Sequence, residues 1–225
     1  MHYLMNFVDL FLHLDKHLFW LIQAYGLWTY VILFLIIFCE TGLVITPILP
    51  GDSLIFAAGA FAAAGSLHIA YLFILLCIAA IGGNMVNYRI GKYLGLKLFQ
   101  GAKPLVKIEY LTRTQKFYEH YGDKTIIITR FFPIVRTFAP FAAGLANMSY
   151  WRFSTYNIVG GMLWISIFLW GGYFFGNLPT VKKHFTLVIF AIILISLLPV
   201  FYKIASKYWR SSRKIWQHTF NKRRA

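Results

Sequence analysis

Two uninterrupted apolar runs constrain this chain more than any other feature. Leu27 to Thr46 is twenty residues long with Glu40 as its only charge, and Leu67 to Val86 contains no Asp, Glu, Lys or Arg. Twenty helical residues rise about 30 Å, the thickness of a bilayer's hydrocarbon core. Composition decides between a buried soluble core and a membrane. Only 13% of the 225 residues are charged and 59% are hydrophobic, whereas a soluble domain carries about 25% charged residues. Too little polar surface exists to cover a water-soluble globule. The expected fold class is an all-α polytopic membrane protein, a single integral membrane domain over 1–225.

The net charge of +15 is unevenly placed. Residues 1–88 hold one basic residue, Lys16, while Arg89 to Lys124 holds eight and the stretch after His184 another eight. Basic clusters beside apolar spans mark cytoplasmic loops and anionic lipid headgroups. No nucleic-acid-binding motif accompanies the charge, so no nucleic-acid partner is expected. The N-terminus lacks a basic n-region and carries Asp9 and Asp15, unlike a cleavable signal. Cys39 and Cys77 lie in apolar runs and read as small hydrophobes.

Punctuation divides the chain further. Residues 3–24 are apolar but interrupted by charged and histidine residues, as in an amphipathic interface helix. Residues 27–66 contain Pro47, Pro50 and Gly51 and read as a re-entrant hairpin, followed by a span at 67–97. Residues 108–121 read as a second amphipathic helix. Thr125 to Phe138 rises only about 21 Å as helix, too short to cross, and it contains Arg130, Pro133 and Arg136. Pro140 and a small-residue return then suggest a second re-entrant hairpin over 125–148. Broken backbone at membrane depth is tolerated only where protein or water covers it. Spans are expected at 150–177 and 185–208, with a basic cytoplasmic tail at 209–225.

The two hairpin units resemble each other. The first runs Tyr25-Gly26, prolines 47 and 50, Ala57-Ala58-Gly59, then a span ending Gly91 to Gly95. The second runs Tyr121-Gly122, prolines 133 and 140, Ala142-Ala143-Gly144, then a span ending Gly172 to Gly176. One span separates the hairpins, so they open to opposite sides. This is an inverted repeat, the architecture of many secondary transporters.

Four charges fall within these hairpins: Glu40 and Asp52 in the first, Arg130 and Arg136 in the second. An unpaired charge at mid-membrane costs about 2.5–3.5 kcal/mol on insertion scales. Two acids and two bases allow mutual neutralisation where the hairpins meet. Guanidinium stays charged when poorly hydrated and binds phosphate through a bidentate fork. Arg130 and Arg136 flank Pro133, so both are expected to converge on one anion, with Glu40 and Asp52 as proton-coupling charge partners. Asn84, after Gly82-Gly83, is a candidate for cavity lining or for a helix–helix hydrogen bond. The Trp and Tyr residues read mostly as interface anchors, and Gly91, Gly95, Gly172 and Gly176 as sites of close helix packing. No zinc-protease motif, phosphate-binding P-loop or nucleophile elbow occurs. No enzymatic activity, metal or other cofactor is expected.

Phe38-Cys-Glu40-Thr-Gly-Leu-Val-Ile-Thr-Pro47-Ile-Leu-Pro50-Gly-Asp52-Ser resembles the first conserved motif of the bacterial DedA family, within the wider SNARE-associated or VTT-domain family. Arg130-Phe-Phe-Pro133-Ile-Val-Arg136-Thr-Phe-Ala-Pro140-Phe-Ala-Ala-Gly144 resembles the second. The likeness continues through Asn87-Tyr-Arg-Ile-Gly91 and Gly172-Tyr-Phe-Phe-Gly176. It implies an inner-membrane protein with facing re-entrant hairpins and transport linked to the proton-motive force, with undecaprenyl phosphate recycling as the leading activity. It places the family's essential acids on Glu40 and Asp52 and its essential arginines on Arg130 and Arg136. Many relatives carry an acid where this chain has Asn84, which puts a proton-relay role there in doubt.

The expected function is therefore a lipid flippase or transporter. Its partners would be a polyprenyl phosphate or phospholipid, protons and the surrounding membrane lipids, and self-association into a homo-oligomer is left open. Competing readings are a proton-coupled exporter of small cations or drugs, a membrane lipid phosphatase using Glu40 or Asp52 to activate water, and a scaffold whose charges only hold the fold.

Overall fold

The computed structural model describes residues 24–43, 51–100, 122 and 124–183, with isolated positions between 185 and 194. The expected amphipathic helices, Pro47, Pro50, most of the 185–208 span and the basic tail lie outside the described residues.

Every regular element among the described residues is helical. In the first unit, α1 (Trp28–Gly42) and α2 (Gly51–Ala63) have 15 and 13 residues, or about 22 and 20 Å. Both are too short to cross a bilayer of about 30 Å. α1 stops where Leu43 turns extended, at φ −101° and ψ 124°. α2 stops at Gly65, whose φ of +81° suits glycine. There Gly65 N–H donates to Ala62 O and Ser66 N–H to Phe61 O, both at 3.0 Å, forming a Schellman cap. α3 (Ile69–Gln100) follows; its Ile69–Leu94 portion is long and apolar enough to span.

The second unit begins with α4 (Thr125–Thr129) and continues through a bend into α5 (Pro133–Leu145). The break expected at Pro133, between Arg130 and Arg136, is present, and the one expected at Pro140 is not. The chain bends at Arg130 to Phe132, while Pro140 lies inside α5. A residue before proline is driven out of the α region, and Phe132 is indeed extended at φ −116°. Pro140 removes one ladder hydrogen bond but leaves the helix continuous, a tolerance common where neighbouring helices cover the backbone. α5 ends in a second Schellman cap: Asn147, at φ 55°, donates to Gly144 O and Met148 N–H to Ala143 O, both at 3.0 Å. α6 (Tyr150–Phe175) is the second helix of spanning length, followed by α7 (Pro179–Lys183).

Packing crosses between the units. α2 lies along α6, and α5 along α3, so the second helix of each unit rests on the other unit's long helix, while α1 packs on α3. The contacts correspond residue for residue. A Cβ at Gly59 would fall 2.9 Å from Tyr173 N, and one at Gly144 would fall 2.7 Å from Lys92 N. Reciprocally, a Cβ at Gly172 would meet Phe56 C at 2.7 Å, and one at Gly91 would meet Phe141 C at 2.9 Å. The expected role of Gly91 and Gly172 in close packing holds, and Gly59 and Gly144 complete each crossing.

The two units close at opposite ends of α3. Tyr30 in α1 accepts a 2.6 Å hydrogen bond from His68 N–H, just before α3 begins. An open cavity of about 380 Å³ between Gly26–Tyr30 and Gly65–His68 marks this end. Ile126 in α4 and Ala143, Ala146 and Met148 at the end of α5 instead cluster with Met85 and Tyr88, toward the far end of α3.

Candidate functional site: a buried charge cluster

The four sequence-predicted charges are all buried, none more than 7% exposed. Glu40 sits in the last turn of α1 and Asp52 in the first turn of α2, where the helix dipole favours a carboxylate. Arg130 ends α4 and Arg136 lies in the first turn of α5. The end of α1, the start of α2, the second break and the middles of α3 and α6 therefore meet.

Arg136 holds both acids. Its Nη1 pairs with Asp52 Oδ1 at 2.7 Å and its Nη2 with Glu40 Oε1. Trp164 of α6 completes the cluster: its Nε1–H donates to Asp52 Oδ1 at 2.9 Å, and its ring lies under the guanidinium, 4.5 Å from Cζ to centroid. Trp164 is fully buried, so it departs from the interface role expected of most tryptophans. Gly51, expected only as a helix breaker, starts α2, and a Cβ there would fall 2.7 Å from Glu40 Cδ. The absent side chain makes room for the carboxylate.

Arg130 does not join this cluster as an ion-pair partner. Its Nη2 donates to Asn157 Oδ1, to Asn157 O at 3.2 Å and to Ala80 O at 3.5 Å. Its Nε and Nη1 have no hydrogen-bond partner among the described residues, and no carboxylate there pairs with it. Gly160 and Gly161 of α6 make room for the side chain; Cβ atoms on them would lie 3.1 Å from Arg130 Cδ and 3.4 Å from Nη2. Arg136 pairs with the acids, and Arg130 hydrogen-bonds to a carboxamide and two backbone carbonyls.

Asn84 makes the interhelical bond: its Nδ2 donates to Asn157 Oδ1 at 3.0 Å. Sequence reasoning missed Asn157 and Asn87. Asn157 Nδ2 donates to Ile81 O at 3.0 Å. Asn87 Nδ2 donates to Thr41 O at 3.2 Å and Thr137 O at 2.7 Å, tying the end of α1 to α5. Their signal was available, since Asn84, Asn87 and Asn157 are the three asparagines in the two spanning helices. Among the described residues, no group of three or more His, Cys, Asp or Glu gathers to hold a metal.

The VTT domain family matches residues 49–174. The chain is similar to Protein DedA of Escherichia coli, at 51% identity over 195 residues, covering 85% of this chain and 89% of that protein. It is 40% identical to an uncharacterised membrane protein of Mycobacterium tuberculosis over 177 residues, 77% of this chain and 78% of that one. It is 34% identical to the inner membrane protein YqjA of E. coli over 156 residues, 69% and 71% of the two chains. No solved structure matches.

Proposed function

The chain belongs to the VTT domain family of DedA-type membrane proteins, and from that premise we propose that it moves a phosphate-bearing lipid, undecaprenyl phosphate foremost, between the leaflets of the inner membrane. One observation carries this reading: Arg130 is a buried guanidinium with no carboxylate partner and two unpartnered nitrogens among the described residues. A buried charge needs pairing, and a phosphate group supplies the missing anion in a form that guanidinium binds well.

The remaining parts take roles around that site. α1–α2 and α4–α5 are re-entrant hairpins, because each is too short to cross and each closes on its own end of α3. They face each other at mid-depth as an inverted repeat, and rocking about the glycine crossings exposes Arg130 to one leaflet and then the other. The basic segment 89–124 sets its end of α3, and the C-terminal tail, on the cytoplasmic side. Glu40 and Asp52 offset Arg136 in the empty state, and proton uptake by this pair compensates the charge of an arriving phosphate. A cation exporter would need free acids, whereas both are engaged by Arg136. A phosphatase would need a group that activates water beside the phosphate, whereas the hydrogen-bond partners of Arg130 are a carboxamide and two backbone carbonyls.

The test is leaflet exposure of undecaprenyl phosphate in cells producing wild type, Arg130→Ala or Arg136→Ala protein. Loss of transport is expected in both variants. Unchanged exposure with Arg130→Ala would refute the phosphate site.

A further inference from the structure

Guanidinium offers two bidentate faces. The side-on fork uses Nε with the neighbouring Nη2, and the end-on fork uses Nη1 with Nη2. Both need Nη2, and in Arg130 that atom is the occupied one, held most closely by Asn157 Oδ1 and at longer range by the backbone O of Asn157 and Ala80. The two unpartnered nitrogens, Nε and Nη1, do not form a fork with each other. A phosphate reaching Arg130 in this state gains at most one-sided contacts until Nη2 is released.

We propose that Asn157 is a latch and a selectivity residue: its carboxamide oxygen holds Arg130 Nη2 in the empty state and is exchanged for a phosphate oxygen on binding. This rests on the phosphate reading of Arg130. The orientation of Asn157 is set by its neighbours. Arg130 carries no acceptor, so Oδ1 must face it, and Ile81 O accepts only, so Nδ2 must face that carbonyl. Oδ1 in turn receives Asn84 Nδ2 at 3.0 Å, so it keeps a donor after giving up Arg130. The exchange has a direction. A charged oxyanion makes roughly twice as strong a bond to guanidinium as a neutral acceptor does. A phosphate therefore displaces the carboxamide, and an uncharged headgroup does not. An asparagine at this position lets anions in, whereas a carboxylate would be a permanent internal competitor.

The experiment is titration calorimetry on purified full-length protein in detergent, with farnesyl monophosphate and inorganic phosphate as separate probes. The variants are Asn157→Ser, Asn157→Asp and Arg130→Gln. Serine removes the Oδ1 bond and leaves only the longer contacts to the backbone carbonyls of residues 157 and 80, so affinity should rise on the order of tenfold, the loss of one hydrogen bond to a charged group. Aspartate should lower affinity by about tenfold or more through the ion pair it creates, and Arg130→Gln should abolish binding. Opposite shifts for serine and aspartate support the latch, whether seen with both probes (recognition of the phosphate itself) or with farnesyl monophosphate alone (recognition of a lipid-borne phosphate). A merely structural asparagine would move both in one direction or neither, and that result overturns the latch even where Arg130→Gln abolishes binding. Wild-type binding by Arg130→Gln overturns the phosphate reading and the latch with it.

Discussion

At the scale of single residues, Arg136 is the keystone of the charge cluster. It pairs with two buried carboxylates through two separate nitrogens and rests on Trp164. Removing one partner of a buried ion pair costs about 3–5 kcal/mol, because the charge left behind is uncompensated. Arg136→Ala strands both Glu40 and Asp52 and should fall at the upper end of that range. Adding Glu40→Gln and Asp52→Asn to Arg136→Ala should recover a substantial part of the loss, since neutral amides are cheaper to bury. Denaturant unfolding in detergent measures this directly, and a triple variant less stable than Arg136→Ala would refute the account. Arg136→Lys should rescue little, because one ammonium cannot reproduce two parallel donors and the planar stack. Trp164 was not readable as a member of this group. An isolated tryptophan in a span looks the same whether it faces lipid or a carboxylate; only the packing of α2 on α6 brings it to Asp52.

At the scale of elements, the fold depends on helix crossings closed by glycine. Gly171 and Gly172 are sequence neighbours with opposite surroundings. A Cβ at Gly171 would meet Phe56 ring atoms at an ordinary 3.9 Å, whereas one at Gly172 would run into the Phe56 backbone. Gly171→Ala should therefore be close to neutral, and Gly172→Ala should cost about 1–3 kcal/mol or more as α2 is pushed off α6. Thermal unfolding of the two variants in one detergent compares them. The sequence made this much visible: the spans at α3 and α6 start and end within a few residues of expectation, and the paired glycines were found by their repeat. The break at Pro133 is legible in the sequence, but Pro140 reads as a further break because it looks as disruptive as Pro133. What separates them is the preceding segment, since Pro133 drives Phe132 to an extended conformation and ends α4, while α5 carries Pro140 without stopping. The four site charges were found one by one from the cost of burying them. Their partners were not, because pairing depends on which helices cross, and no local pattern encodes that Arg136 rather than Arg130 faces the acids.

At the scale of the whole molecule, the proposed transport between leaflets requires the two units to open in opposite directions. Ser66 follows α2, beside the Tyr30–His68 contact, while Ser149 precedes α6, beside the cluster of Ile126, Met148 and Tyr88. Both serines are exposed, and they lie toward opposite ends of α3. The asymmetry of basic residues assigns the sides: one Lys or Arg before Arg89, eight from there to Lys124. A single cysteine can report this once Cys39 and Cys77 are replaced by serine or alanine. In intact cells with a permeable outer envelope, Ser66→Cys should react with a membrane-impermeant maleimide, and Ser149→Cys should react only after the inner membrane is opened. Labelling of both from outside would place the two units in the same orientation. The cytoplasmic reading of the basic segment would then fail, and with it the alternating exposure of Arg130, because two hairpins opening to one side cannot pass a bound phosphate to the other.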